Sequence, residues 1–256
     1  MVSRMLTALC GFSVCCGVPQ KDSLLAISKK GRLGAQGMND DRLDPIPPEA
    51  ELALAWSPPK LRAPLTTAIQ LDRRLARIVA HTTEPMLGQM RLAWWRDALG
   101  KPPSDRPRGD AVLDAVGRDW AGREAALIAM VDGWEVLVTA DHLGPSEIEA
   151  FGSRRGAFFG ALGNDRSPAG DNRVAAAAFR WAIADAAAGV SGGSERALLI
   201  EAGLARAGAG GRLPRELRGL AVLDALALRA LRRGGRPLME GRGASLTALR
   251  AAIFLC

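Results

Sequence analysis

The chain has 256 residues, enough for one or two domains with a sizeable core, and its 48% hydrophobic and 24% charged residues are ordinary for a globular protein. Its formal charge of +7 does not describe a nucleic-acid binder, because residues 1–37 supply +4 (Arg4, Lys21, Lys29, Lys30 and Arg32 against Asp22) and everything from Met38 onward only +3. Beyond residue 37 a single cysteine, Cys256, rules out a disulfide framework, and His81 and His142 stand in no zinc-spaced cluster.

Residues 1–37 differ in composition from the rest. They hold Cys10, Cys15 and Cys16 and three of the five lysines, whereas the remainder uses arginine almost throughout. "MLTALCGFSVCCGV" is apolar over 14 residues, too short to span a bilayer comfortably and without a small-x-small cleavage site after it. The segment reads as a disordered leader or a mis-assigned start, with the folded domain at 38–256.

From residue 48 the pattern is helical nearly everywhere: alanine and leucine dominate and no run alternates with period two. A short helix follows the prolines of "DPIPPEAELALAW", and "SPPKLRAPL" leads into another over about 64–80. "TTEP" opens the next, with Thr82 or Thr83 as cap and Pro85 in the first turn. On its wheel Leu87, Met90, Trp94 and Ala98 form one stripe, which assigns Trp94 to the core and Trp95 to the boundary with a neighbouring helix. Arg91, one turn before Trp95, is spaced for a cation–π contact with it. "GKPPSDRPRGD" is an exposed loop, and helices follow over 110–118, 121–142, 145–162, 171–189, 194–208, 214–233 and 244–254. The sum is one all-α domain. "RAGAGGRLP" lacks the preceding strand and the lysine of a phosphate-binding loop, and no nucleophile elbow occurs.

Residues 71–99, "LDRRLARIVAHTTEPMLGQMRLAWWRDAL", resemble the squalene/phytoene synthase family, and "MVDGWEVLV" and "EIEAFGSRRGAFFGALG" follow in the family's order. The resemblance implies a single-domain isoprenoid (terpenoid) synthase-like helical bundle. It also implies an ancestry in the head-to-head joining of two prenyl diphosphates. In that chemistry two aspartate-rich motifs on facing helices hold Mg²⁺, which neutralises the departing diphosphate.

Aligned on the family stretch, Ala76, Arg77 and Ala80 stand where the first acidic motif belongs, and Asp72 falls outside the matching positions. In the second region, "FRWAIADAAAGVSGGSE", Asp185 is followed by no acid before Glu195. The chain contains no tyrosine. "DDRLD" (Asp40, Asp41, Asp44) spells an acidic motif but runs into "PIPP", so it reads as a solvated tail; Asp110 and Asp114 open a helix and read as cap and first-turn charge.

Two readings follow. In one the family bundle is kept, no cofactor is used, and the protein acts in binding or assembly, resembling the branch that includes mitochondrial complex I assembly factors. Its ligand pocket would draw on Arg73, Arg77, Arg91 and Trp95, and its partner would be a membrane-complex subunit or a prenyl lipid. The location would be the cytoplasm, peripheral to the inner face of the membrane. In the other, the protein is an active prenyltransferase with Mg²⁺ on Asp110 and Asp114. The arginine groups at 73, 74 and 77, at 154 and 155, and at 229, 232, 233 and 236 suit either an anionic ligand or an anionic membrane surface.

Overall fold

A computed structural model describes residues 43–82, 84–163, 168–208 and 212–254, with the backbone alone at 168 and 169. The leader 1–37, Asp40, Asp41, Thr83 and Cys256 lie outside the described residues. Eleven α-helices occur among those described: α1 (Pro48–Trp56), α2 (Pro59–His81), α3 (Pro85–Gly100), α4 (Ala111–Asp119), α5 (Glu124–Thr139), α6 (Pro145–Gly156), α7 (Phe158–Leu162), α8 (Pro168–Gly189), α9 (Gly193–Ala205), α10 (Arg218–Arg232) and α11 (Gly243–Phe254). There is no strand among the described residues.

Prolines start five of these helices, where the missing N–H is one the first turn leaves unpaired anyway. Asp110 caps α4 by accepting from the Val112 and Leu113 amides. Thr82 does not cap α3. Its hydroxyl turns back to the Ile78 carbonyl at 2.6 Å, and Glu84 takes the cap position with no side-chain bond. At the end of α10, Gly234 (φ 82°) and Gly235 (φ 71°) adopt the left-handed conformation, and the Gly235 amide reaches the Ala230 carbonyl at 3.0 Å. The stretch expected as one helix over 145–162 is divided at Ala157, where the pitch tightens and α7 begins.

The helices pack as a ribbon: α3 on α5, α5 on α6, α6 on α8, α8 on α10. Helix α2 lies across α4 and α5, and α1 and α11 both lie against α10. α2 carries a long buried stripe, from Leu61 through Leu65, Ala68, Leu71 and Leu75 to Val79. Its Pro64 carbonyl accepts from the indole of Trp120 at 2.8 Å. Within the mainly aliphatic interior, Trp120, Phe158, Phe159 and Trp181 form a chain of edge contacts and Trp134 meets Phe151 edge-on.

The tryptophan helix is turned the other way from the wheel expectation. Trp95 is buried at 3% exposure, with Gly88, Leu92, Ala98 and Leu99, while Trp94 is 45% exposed beside Leu87 and Met90. The cause is Gly88. Its missing side chain lets α3 close on Val138 of α5, where a Cβ would come within 3.1 Å of a valine methyl, and that fixes which face goes inside.

Another close approach holds α1 to α10. A Cβ on Gly219 would lie 2.3 Å from the Ser57 hydroxyl and 2.6 Å from the Ala53 carbonyl oxygen. Gly219→Ala must therefore push α1 outward and disturb the Ser57–Ala53 hydrogen bond. A loss of about 1–3 kcal/mol is expected, read as a lower urea midpoint at unchanged slope.

Candidate functional site: a buried arginine between two carboxylates

Three helices converge on one guanidinium. Arg155, in the last turn of α6, has no exposed surface. Its Nε and one terminal nitrogen grip both oxygens of Asp72 on α2, each at 2.8 Å. The same nitrogen donates to Asp185 on α8 at 2.6 Å, and the other terminal nitrogen to the Ala182 carbonyl at 3.1 Å. The Trp134 indole completes Asp72, donating at 2.8 Å. Planar donors on planar acceptors, with an indole adding a third bond to the carboxylate, are what a buried ion pair requires to offset its desolvation.

The packing allows this. A Cβ at Gly133 of α5 would meet the Arg155 amide nitrogen at 2.9 Å, and one at Gly156 would meet the Ala178 backbone of α8 at 2.9 Å. Both neighbours therefore close tightly on α6. The guanidinium carbon sits 4.7 Å from the ring centres of Trp134 and of Trp181, so aromatic faces enclose the charge.

The electrostatics follow the geometry. Burial alone would depress Arg155, but the charges of Asp72 and Asp185 outweigh it and hold the guanidinium more firmly protonated than usual. Burial would raise the Asp185 carboxyl; the charge of Arg155, then that of Arg73, then the Arg155 hydrogen bond bring it below the ordinary carboxylate range. Glu49, at the start of α1, is pushed up by burial and by the negative charge of Asp185.

Of the residues expected to line a ligand pocket, Arg73 lies nearest the cluster, 3.9 Å from Asp185 and partly exposed. Arg77, one turn on, pairs with Asp44 at 3.0 Å. Asp44 is no solvated tail: Arg77 holds its carboxylate, and Gln70 donates to its carbonyl at 2.9 Å, pinning the segment before α1 to α2. Arg91 stays exposed on α3 and donates to the Thr82 hydroxyl at 3.3 Å; no Arg91–Trp95 stacking occurs among the described residues. Trp95 belongs to the core.

Asp110 has both oxygens engaged, one by the cap amides and the other by Arg74 at 2.9 Å, while Asp114 is exposed. Among the described residues no group of three His, Cys, Asp or Glu side chains is placed to hold a metal.

The sequence places Asp72 outside the first motif's matching positions and leaves Asp185 without a second acid before Glu195. Their common partner, 83 residues from one and 30 from the other, was not legible there.

With the helical bundle and this cluster in place, comparison with known proteins decides the relationship. Residues 49–139 match the squalene/phytoene synthase family. Over that segment, about a third of its length, the chain is similar to that family. No curated protein and no solved structure matches the chain. The family segment spans α1 to α5 and includes Asp72 and Trp134; Arg155 and Asp185 lie beyond it. The all-α architecture is that of the family's isoprenoid synthase-like fold. No described helix of the chain is long and apolar enough to cross a membrane.

Proposed function

We propose that this squalene/phytoene synthase-family protein has set aside diphosphate chemistry and serves in binding or assembly. The observation that carries the reading is the Arg155 guanidinium between a carboxylate of α2 and one of α8. The family's enzymes need carboxylates on facing helices free to bind Mg²⁺. Here both Asp72 oxygens accept from Arg155, and one Asp185 oxygen does too. A fixed cation already sits between the pair, and the residues present do not fit a metal ion at that point. Ala76, Arg77 and Ala80 at the positions of the first acidic motif support the same reading.

Arg73, at the partly exposed edge of the cluster, is the natural contact for an anionic or prenyl ligand. The partner we favour is a subunit of a membrane complex or a prenyl lipid. The protein would work in the cytoplasm at the inner face of the membrane, as in the assembly-factor branch the tryptophan helix resembles.

The test is incubation of the full chain with labelled farnesyl and geranylgeranyl diphosphates, with and without Mg²⁺, following product and binding together. No condensed product is expected. Mg²⁺-dependent product that disappears in Asp110→Asn/Asp114→Asn would instead establish an active prenyltransferase with relocated ligands, and would overturn the reading.

A further inference from the structure

We propose that the outward face of α11 docks on the surface of an anionic phospholipid bilayer. The helix is built inside out by size. Its inner face, against α10, is Ala244, Ala248, Ala251 and Ala252. Its outer face carries Leu246, Leu249, Ile253 and Phe254, each between 45 and 65% exposed. Large apolar side chains facing water along a helix whose small ones face the core mark a surface that expects cover.

The charge around it names the cover. Residues 206–256 hold ten arginines against three acids, whereas residues 1–205 hold 24 basic and 24 acidic residues. The whole formal charge of the chain therefore resides in its last fifth. Arg250 shares the outer face of α11 with Leu246, Leu249 and Ile253, Arg242 stands just before the helix begins, and both are exposed. Arg212 donates to the Phe254 carbonyl at one end of the helix, and Arg229 to the Glu240 carbonyl just before the other. Arg232, Arg233 and Arg236 are exposed at the end of α10 beside it. Glu240 is the one acid after Asp224, and it lies 3.8 Å from Arg236.

This pattern disfavours a protein partner. A second copy of the chain would set two arginine-rich rims against each other. An apolar partner helix would enclose Arg250, in the middle of the face, without a carboxylate. At a bilayer the same arginine extends along its own stem to the phosphates while Leu246, Leu249 and Ile253 enter the acyl boundary. The inference stands on α11 and the arginines around it and does not depend on whether the Arg155 cluster has lost its chemistry.

Flotation of the full chain with phosphatidylcholine vesicles, with and without phosphatidylglycerol and at low and high salt, tests it. Binding should require phosphatidylglycerol and weaken as salt rises. Leu246→Ser/Ile253→Ser should lower partitioning at least about tenfold while the circular dichroism and unfolding midpoint stay those of the parent. Met86→Ser/Met90→Ser, in the exposed apolar patch of α3, should leave binding intact. Absence of binding, equal binding to neutral vesicles, or binding retained by the α11 variant (which would place the contact elsewhere, residues 1–37 included) overturns the proposal. So would concentration-dependent dimers of the parent chain that the α11 variant abolishes.

Discussion

Arg155→Met should unfold at a much lower urea concentration than the parent, with a loss of about 3–5 kcal/mol at neutral pH. Methionine keeps most of the stem volume but removes the charge and all four hydrogen bonds that the guanidinium makes. Asp72 and Asp185 then face each other across an aromatic-walled site with no cation between them. Arg155→Lys should fall between the two, because an ammonium can meet one carboxylate well but cannot fork to Asp72 and also reach Asp185. A midpoint for Arg155→Met within error of the parent would show that the cluster contributes nothing net.

The pH dependence gives the same experiment a second readout. In the parent, Asp185 titrates below its unfolded value, so its contribution is present above about pH 4 and is lost as pH falls through the lowered value. In Arg155→Met burial dominates and the folded value of Asp185 rises above the unfolded one. Its contribution is then present below about pH 4 and lost as pH rises through the raised value. Between pH 7 and about 4.5 the variant should gain stability relative to the parent, and parallel pH profiles would contradict the assignment.

Asp224→Asn should lower the melting temperature by roughly 6–12 °C, from a loss of about 3–4 kcal/mol. Asp224 is the shared anion of a second buried cluster that fastens α8 to α10. Arg180 grips it at 2.6 and 2.8 Å, and Arg173 adds a third bond at 2.8 Å. Arg180 is itself buried and also donates to the Arg206 carbonyl. Asparagine preserves the shape but leaves two guanidinium groups without a counter-charge and turns an amide N–H toward one of them. The damage should appear first as faster amide exchange in α10 and α11, which pack on each other. A shift under about 2 °C would mean that solvent reaches Arg173 and Arg180 readily enough to replace the carboxylate.

How the chain divides into helices was readable because prolines and glycines mark the ends. Pro59, Pro85 and Pro145 each sit at the first helical position of α2, α3 and α6. Which face goes inside was less readable: the expectation for α3 failed, and α11 shows the same reason. A wheel drawn on large apolar residues put Leu87, Met90 and Trp94 in the core, yet the buried face of α3 begins at Gly88. In α11 the buried face is alanine. Closeness of backbone approach, set by the smallest side chains, decided orientation in both, and hydrophobicity counts do not register that. The Arg155 cluster was hidden for another reason. Its members lie in three segments, and nothing local in "DRRLA" or "GSRRG" says that Arg155 rather than Arg154 turns inward to meet Asp72.

The spacing of that cluster along the chain also sets an order during synthesis. Asp72 leaves the ribosome 83 residues ahead of Arg155, and Asp185 follows 30 residues later. Until α6 emerges, α2 and α5 can come together only by burying Asp72 with the Trp134 indole as its sole partner from that pair of helices. The family-matched stretch, 49–139, therefore carries the anion of the bundle without its cation. That stretch should not fold by itself, and the nascent chain should stay open to chaperones and proteases until the second half is made.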